Sequence, residues 1–288
     1  MKSSLEKKIV PYVFILPFLG LFSVFMIYPT FYSVVISFMR FKGGAFNWTG
    51  IANFKFLLND TVFLKAILNT FIILIIQVPI MTIAAIILAS LLNIATLKLK
   101  GLLRLFVFMP ILIDSVSYSI VFSLFFNNNE GGLINSFIGI FGIGPLLWMN
   151  DGWLAKIVIV AAATWRWTGY NMVMILGGMQ NIGMDLYEAA SIDGASRLRR
   201  FFSITLPGVK PVLVFSVVLS VNGVLQLFTE PNLITHSGPS NETLTIVQYL
   251  YNVGFKQFNF GVSAAGAYIL AIMVGILTWL QMKVAKDD

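Results

Sequence analysis

The chain has 288 residues, of which 58% are hydrophobic and only 11% are charged, and its formal net charge is +7. A soluble domain carries about 25% charged residues, so this composition excludes an ordinary soluble globular enzyme. The sequence has no cysteine and one histidine, His236, which excludes disulfides, thiolate chemistry and multi-histidine metal sites. Its basic residues lie in short groups beside apolar runs, a pattern typical of membrane proteins rather than of nucleic-acid binding.

Six long apolar runs predict six transmembrane helices. At 1.5 Å per residue, each run is long enough to cross a hydrocarbon layer of about 30 Å. The first run has no charged residue and is too long for the apolar region of a signal peptide, so we interpret it as an uncleaved span. The runs are Ile9–Met39, Ala66–Leu97, Leu103–Phe126, Leu154–Asn181, Pro211–Thr229 and Phe260–Met282.

The distribution of lysine and arginine between the loops predicts the orientation. An even number of spans places both termini on one side, and the side with more Lys and Arg is cytoplasmic. The larger set comprises Lys2, Lys7, Lys8, Lys98, Lys100, Arg104, Arg197, Arg199, Arg200, Lys210, Lys283 and Lys286. The smaller set comprises Arg40, Lys42, Lys55, Lys65, Lys156 and Lys256. We therefore expect both termini to be cytoplasmic.

The predicted fold is a single all-α polytopic bundle. Residues 1–63 hold the first span and an external loop, and residues 64–282 form a core of five spans with a cytoplasmic loop at 185–207. Residues 283–288 are a short cytoplasmic tail. We find no repeat, linker or low-complexity tract that would indicate a second domain.

Two charged residues lie inside predicted spans, Asp114 in the third and Arg166 in the fourth. Each costs about 2.5–3.5 kcal/mol at the middle of a bilayer, so each should face a cavity, a partner or the other. Trp167 and Tyr170 are three residues apart and share one face of a helix. Two interpretations follow: an Asp114–Arg166 structural pair with aromatic packing around it, or a polar cavity lined by these residues.

The loop between the fourth and fifth spans has the pattern of two short helices bent around a glycine. Asp185 followed by Glu188 resembles a capping box, which predicts a helix start. The small pair Ala189–Ala190 leaves a low surface for a partner, and Gly194 permits a sharp bend. Pro207 closes the unit before the fifth span. An ordinary amphipathic connector would share much of this pattern.

This loop resembles the E-A-A…G…I-x-L-P loop of ABC-importer permeases. The matching residues are Glu188-Ala189-Ala190, Asp193-Gly194-Ala195 and Ile204-Thr205-Leu206-Pro207. Supporting stretches in the same order are Gly50–Phe54, Asn69-Thr70, Phe108–Pro110, Thr164–Met172, Leu233–Thr235 and Ser237–Pro239. The resemblance covers nearly the whole chain. It is to the carbohydrate branch, and within it to the first of two permeases, as in the maltose importer's larger permease.

The resemblance implies a type I ABC-importer permease fold, in which this chain forms part of the membrane pathway and separate subunits hydrolyse ATP. The loop would dock as a coupling helix on a separate ATPase subunit, through Glu188, Ala189, Ala190, Asp193, Gly194, Leu206 and Pro207. Because the sequence has no Walker-type loop, this chain would bind no cofactor and would not be an enzyme. ATP and Mg would be bound by two ATPase subunits. Further partners would be a second related permease and an extracellular substrate-binding protein, in the cytoplasmic membrane of a bacterium or archaeon.

The resemblance also implies a sugar site near the middle of the membrane. Trp167 and Tyr170 would lie against the apolar faces of a pyranose, and Arg166 would donate hydrogen bonds to hydroxyl groups. The expected lining residues are Asp114, Ser115, Arg166, Trp167, Tyr170, Ser220, Asn222 and Gln226. The substrate would be a di- or oligosaccharide.

Three other functions remain as alternatives. A permease for a phosphorylated polyol such as glycerol phosphate would need several cationic groups facing the cavity, and the sequence offers only Arg166. A stand-alone secondary transporter would show matching halves, and an intramembrane enzyme would need a nucleophile or histidine cluster within the spans. Of the remaining polar residues, we expect Glu230 to be a solvated helix end and His236 to lie at the surface.

Overall fold

The computed structural model describes residues 4–42, 44–94 and 96–287, and most of them are helical. Lys2 and the last residue of the predicted tail, 288, lie outside the described residues. Residues up to 60 together with 250–269 form one compact unit, and residues 61–249 with those from 270 onward form a second. One boundary lies between residues 60 and 61, and the other two follow residues 249 and 269.

The helices and strands follow one another in this order: α1 (Ser4–Phe22), a π-helical turn (Ser23–Ile27), α2 (Tyr28–Ser37), β1 (Met39–Lys42), β2 (Ala45–Trp48), α3 (Ala52–Asn59), α4 (Thr61–Leu92), α5 (Lys100–Phe108), a 3₁₀ turn (Met109–Leu112), α6 (Ser115–Phe125), α7 (Leu133–Gly139) and α8 (Gly152–Gln180). There follow α9 (Met184–Ile192), α10 (Arg197–Arg200), a π-helical turn (Phe201–Thr205), α11 (Leu206–Gly208), α12 (Lys210–Leu225), α13 (Thr229–Leu233), a 3₁₀ turn (Pro239–Asn241), α14 (Ile246–Tyr251), a π-helical turn (Asn252–Lys256) and α15 (Phe260–Asp287).

Among the described residues, four helical stretches are long and apolar enough to cross a membrane: Val10–Ser37, Thr61–Leu92, Lys210–Leu233 and Phe260–Ala285. The single helix that the sequence predicts over Leu103–Phe126 is instead divided, because Lys100–Leu112 and Ser115–Phe125 meet at 96°. The pair makes a fifth span if its two parts cross together. α8 has 29 residues but is not one of these stretches, since Lys156 and Arg166 lower its hydropathy.

In the first unit, Asn53 joins the end of α2 to the β1–β2 hairpin. The strands pair antiparallel, with Met39 opposite Trp48. The buried Asn53 amide donates to the carbonyl oxygens of Ser37 and Met39, both at 2.8 Å. Gly261, at the start of α15, packs closely against the backbone of Met39. A Cβ at this position would lie 1.9 Å from the Met39 carbonyl oxygen. The Gly50–Phe54 stretch is therefore an anchor for this hairpin.

In the second unit, α8 is the central helix. It packs along α4, and the residues between them are small or flexible and fully buried, including Ala85, Ala89 and Met172. Gly169 lets α8 approach α5 closely, since a Cβ at this position would lie 1.9 Å from the Val107 carbonyl oxygen. The buried positions of such a helix can carry polar groups that a lipid-facing position cannot.

An ion-paired loop follows α13 in the second unit. Glu242 binds the ammonium groups of Lys65 at 2.6 Å and Lys156 at 2.8 Å, and the Lys156 side chain is only 3% exposed. The Asn69 amide donates to the carbonyl oxygens of Asn241 at 2.8 Å and Leu244 at 3.2 Å. The loop is thus held to α4 and α8 by charge and by hydrogen bonds.

Candidate functional site

A cavity of about 230 Å³, lined by both apolar and polar side chains, lies in the second unit. Helices α4, α8 and α12, the segment after α12 and the first residue of α6 line it. Of the residues that the sequence predicts here, Ser115, Arg166, Trp167, Tyr170, Ser220 and Gln226 line the cavity. The structure therefore brings together side chains that are distant in the sequence. Ser115 and Gln226, for example, are 111 positions apart and line the same cavity.

Two predicted lining residues lie elsewhere. Asp114 caps α6: its carboxylate accepts hydrogen bonds from the backbone N–H groups of Val116 at 2.9 Å and Ser117 at 3.3 Å. Asn222 faces α15, where its side-chain oxygen accepts a hydrogen bond from the Thr278 hydroxyl at 3.3 Å. Neither is part of the cavity lining.

Asp114 and Arg166 do not form the ion pair that one interpretation of the sequence predicts. The Glu242 carboxylate, by contrast, forms ion pairs with Lys65 and Lys156. Asp114 instead satisfies the free N–H groups at the bend between α5 and α6, which explains why the third run breaks there. The Asp114 carboxylate therefore stabilises the start of α6 and does not neutralise the charge of Arg166.

Arg166 instead lies over an aromatic ring. Its guanidinium carbon is 4.6 Å from the centre of the Tyr118 ring, and the Tyr118 hydroxyl donates a hydrogen bond to the Glu230 carboxylate. Glu230 is only 5% exposed and lines the cavity. The expectation that Glu230 is a solvated helix end is therefore wrong: α13 folds back so that its first turn lies against α6. His236 is exposed, as predicted.

A second polar cluster is centred on Asn171. Its side-chain oxygen accepts hydrogen bonds from the hydroxyls of Ser216 and, at 3.4 Å, Ser220. Its amide nitrogen donates to the Trp167 carbonyl oxygen at 3.0 Å. This cluster joins α8 to α12 inside the bundle and fixes the position of Ser220 at the cavity wall.

Two aromatic rings meet edge to face beside these polar groups. The ring centres of Trp167 and Tyr170 are 6.0 Å apart at an interplanar angle of 87°. Trp167 is 39% exposed, so one part of the indole remains open for contact. A flat apolar ring beside hydrogen-bonding groups is the combination that binds a molecule with both apolar faces and polar edges.

Sequence reasoning missed Gln77, Tyr118, Asn171 and Glu230 as parts of this site. Gln77 is 2% exposed, and its amide nitrogen lies 3.6 Å from the Met81 sulfur. A polar amide in the middle of a 32-residue apolar helix is itself a signal, because it is costly to bury without a purpose. Tyr118 and Glu230 gave no comparable signal in the sequence. They contact each other only because α13 folds back against α6.

The 185–207 segment forms two short helices, α9 and α10, joined at Gly194. Gly194 has φ +73°, a left-handed conformation that favours glycine, and Ser196 caps α10 by accepting a hydrogen bond from the Arg199 N–H at 3.3 Å. The Tyr187 hydroxyl lies 2.9 Å from the Thr205 hydroxyl, and Arg200 donates to the Ser191 hydroxyl. The two helices are therefore tied to each other across the bend.

The capping box predicted at Asp185 and Glu188 is wrong. α9 begins one residue earlier, at Met184, and its N-cap is Gly183, which has no side chain for a cap hydrogen bond. Asp185 lies in the first turn, where a carboxylate interacts favourably with the helix dipole.

The outer surface of the segment combines small, acidic and large apolar side chains. Glu188, Ala189, Asp193, Gly194 and Pro207 are exposed, and Ala190 and Leu206 are half-buried. A groove of about 280 Å³ runs between the two helices, lined by Ala190, Asp193, Ala195, Arg199, Arg200, Ser203 and Ile204. Ile192 is 87% exposed and Leu198 71%. Large apolar side chains exposed in this way are typical of a surface that a partner covers.

Within the described ranges, no three acidic or histidine side chains come close enough to hold a metal ion. The polar groups of the cavity are amides, hydroxyls, one guanidinium and one carboxylate, which suits an organic ligand rather than a cation.

The chain matches a family model over residues 58–286, and that family is described as the binding-protein-dependent transport system inner membrane component. The chain belongs to this family. It is thus a multi-pass membrane protein of a transport system. The matched region begins just before α4 and contains both the cavity and the 185–207 segment.

Relatives of this permease are named for several substrates. It is 41% identical over 280 residues to the lactose transport system permease protein LacF of Rhizobium radiobacter, with 96% of this chain and 94% of that protein covered. It is 35% identical to the arabinooligosaccharides transport system permease protein AraP of Halalkalibacterium halodurans, with coverage of 96% and 88%. It is 33% identical to the sn-glycerol-3-phosphate transport system permease protein UgpA of Agrobacterium fabrum, with coverage of 96% and 94%.

Solved structures share the fold. A crystal structure of a bacterial ABC transporter involved in the import of the acidic polysaccharide alginate matches with a TM-score of 0.87, 20% identity and 99% coverage of both chains. The alginate transporter in complex with its alginate pentasaccharide-bound periplasmic protein matches with a TM-score of 0.84, 20% identity and coverage of 97% and 96%. The ABC-importer permease fold implied by the sequence is confirmed.

Proposed function

We propose that this chain is the transmembrane permease subunit of an ATP-driven importer that moves a di- or oligosaccharide across the cytoplasmic membrane. The observation that carries the proposal is the cavity, which places the Trp167 and Tyr170 rings beside amide, hydroxyl and guanidinium groups. Relatives named for lactose and arabinooligosaccharides support the substrate class. The chain supplies the pathway and has no catalytic role.

The proposed topology has six spans with both termini in the cytoplasm. The bent pair Lys100–Leu112 and Ser115–Phe125 is the third span, and α8 is the fourth. At 29 residues and 1.5 Å per residue, α8 is about 43 Å long, more than the hydrocarbon thickness requires. Its low hydropathy fits a helix that protein rather than lipid surrounds.

A second related permease completes the cavity in this proposal. The cavity volume of about 230 Å³ lies below the roughly 300–1,000 Å³ typical of small-molecule sites. A disaccharide therefore needs walls that another subunit supplies. An extracellular binding protein delivers the sugar to this pair of permeases.

The 185–207 segment is the coupling element in this proposal. Two ATPase subunits bind ATP and Mg, and one of them receives α9 through the small surface at Ala189 and Ala190 and the exposed Glu188 carboxylate. The exposed Ile192 and Leu198 side chains support burial against a partner. The remaining predicted residues have geometric roles: Gly194 sets the bend, Asp193 borders the groove, and Leu206 and Pro207 lead into α12.

Import of glycerol phosphate is the second candidate, because UgpA is among the relatives. The charge of the cavity disfavours it. Arg166 is the cation in the lining, and the Glu230 carboxylate lies in the same lining. A phosphate group would require more positive charge than this pair supplies.

Replacing Glu188 with lysine tests the coupling role. We expect Glu188→Lys to lower sugar uptake by about tenfold in proteoliposomes that contain the complete importer and its binding protein, because the reversed charge opposes docking. The amount of membrane-inserted subunit should not change, since the Glu188 side chain is exposed. Uptake and sugar-stimulated ATP hydrolysis are measured together.

The matched control is Glu130→Lys, which makes the same charge reversal at an exposed residue before α7. It should transport at the wild-type rate. Unchanged uptake by Glu188→Lys would refute the coupling role. Uptake that persists without ATPase subunits would show a secondary transporter instead.

A further inference from the structure

Two buried polar atoms in the cavity lining have no hydrogen-bond partner. One is the side-chain oxygen of Gln77, and the other is the Nη1 nitrogen of Arg166. A buried polar atom without a partner loses the hydrogen bonds it would make in water, so it destabilises the ligand-free protein. The first atom is an acceptor and the second a donor. A sugar presents hydroxyl groups that can donate to the first atom or accept from the second.

The charges near these atoms limit which ligand can enter. Arg166 stacks on Tyr118, and Tyr118 donates to Glu230, so a guanidinium lies over the ring and a carboxylate lies at its hydroxyl. Glu230 is only 5% exposed, and bulk solvent therefore screens its charge weakly. A ligand carboxylate or phosphate that entered this cavity toward Arg166 would also meet the negative charge of Glu230, which offsets the attraction of the guanidinium.

We propose that the cavity binds uncharged saccharides and excludes anionic ones. Gln77 accepts a hydrogen bond from a sugar hydroxyl, Arg166 donates one, and the Glu230 carboxylate rejects ligands that carry a carboxylate or phosphate. Gln77 is thus a specificity-determining residue on α4, outside the motif that suggested the site. This inference rests on the proposed sugar-import function and narrows its substrate class.

The acceptor role of Gln77 gives two effects of opposite sign in one variant. Gln77→Leu removes an unpaired buried oxygen, so the ligand-free assembly should unfold at a higher temperature. The same change removes a hydrogen bond to the ligand, so the Kd for a bound sugar should rise by about two- to tenfold. A residue with only a structural role would change stability and leave the Kd alone.

The matched control is Gln281→Leu. The Gln281 side-chain oxygen is also buried and unpaired, but this residue does not line the cavity. We expect Gln281→Leu to raise the unfolding temperature in the same way and to leave the Kd unchanged. Binding is measured on the complete permease–ATPase complex in nanodiscs without its binding protein, so that the binding protein's own selectivity does not enter.

The exclusion of anions is tested with a matched pair of radiolabelled probes, lactose and lactose 6′-phosphate. The wild-type complex should bind lactose about tenfold more tightly than the phosphate. Glu230→Gln keeps an acceptor for Tyr118 and removes the charge, so it should reduce this preference by about tenfold. Glu130→Gln, an exposed change of the same kind, should leave the preference unaltered.

The outcomes separate this inference from the function on which it rests. Equal binding of the two probes by the wild-type complex, or an unchanged Kd in Gln77→Leu, would overturn the inference while sugar import could still be measured with the whole importer. If the whole importer transported neither lactose nor an arabinooligosaccharide and bound neither, the proposed function would fail, and this inference would fail with it.

Discussion

The crossing of α8 and α5 at Gly169 places the cavity residues, and replacing this glycine with alanine tests that placement. A Cβ at position 169 would lie 1.9 Å from the Val107 carbonyl oxygen, 2.7 Å from its carbonyl carbon and 3.0 Å from the Phe108 Cα. All three atoms belong to the backbone, so no side chain can rotate away. The two helices must separate until the closest contact exceeds about 3.0 Å.

The expected cost follows from this geometry. Overpacking a buried site typically costs about 1–3 kcal/mol, and a clash with backbone lies at the upper end because whole helices must move. A loss of 3 kcal/mol corresponds to roughly 6–12 °C in unfolding temperature for a domain of about 200 residues. Gly169 lies between Arg166 and Tyr170 along α8, so sugar transport should fall together with stability.

Gly177→Ala is the matched control, because Gly177 lies on the same helix and a Cβ there meets nothing within 4 Å. Alanine has the higher helix propensity, so this variant should be as stable as the wild type or gain up to about 1 kcal/mol. The assay is thermal unfolding of the purified permease in lipid nanodiscs, followed by sugar uptake in proteoliposomes. Equal unfolding temperatures for the two variants would refute the close approach of α8 and α5.

Two further predictions concern the 185–207 segment and the loop after α13. Gly194→Ala forces a residue with a side chain to adopt φ +73°, which costs roughly 1–2 kcal/mol. We therefore expect this variant to transport less sugar per ATP hydrolysed. Gly139→Ala is the control and should have no effect, because a Cβ at that position meets nothing within 4 Å. Hydrogen bonds from Lys156 and Lys65 lower the pKa of Glu242 to about 2, so its ion pairs stabilise the loop above its ordinary pKa and are lost as pH falls toward 2. The difference in unfolding temperature between wild type and Glu242→Gln should therefore be full at neutral pH and shrink below about pH 4.5; a difference independent of pH would contradict the ion pairing.

Much of the fold could be predicted from the sequence because lipid imposes a simple rule. A segment that crosses hydrocarbon must satisfy its backbone within a helix and present apolar side chains over its length. The apolar runs therefore coincide with helices such as α4, α12 and α15 to within a few residues. The bend at Gly194 was also predictable, because the local chain there needs a residue that adopts positive φ freely.

The errors occurred where a side chain found an unexpected partner. Asp114 was expected either to pair with Arg166 or to line the cavity, but its carboxylate caps α6 by accepting hydrogen bonds from N–H groups two and three residues away. Asn222 points to α15 rather than into the cavity. Glu230 was expected in solvent but is buried against Tyr118, because α13 folds back after α12.

The sequence by itself determined that this chain is a bundle of apolar helices, that it belongs with the importer permeases, and where its cytoplasmic-loop motif lies. These properties depend on composition and on spacing within one segment, and local chemistry fixes both. Only the tertiary structure decided which further polar groups share the cavity with Arg166: Gln77 from α4, Asn171 from α8, and Glu230 from α13. The physical reason is that a hydrogen bond or a ring contact requires two atoms within a few ångströms, and the packing of helices distant in sequence sets that distance.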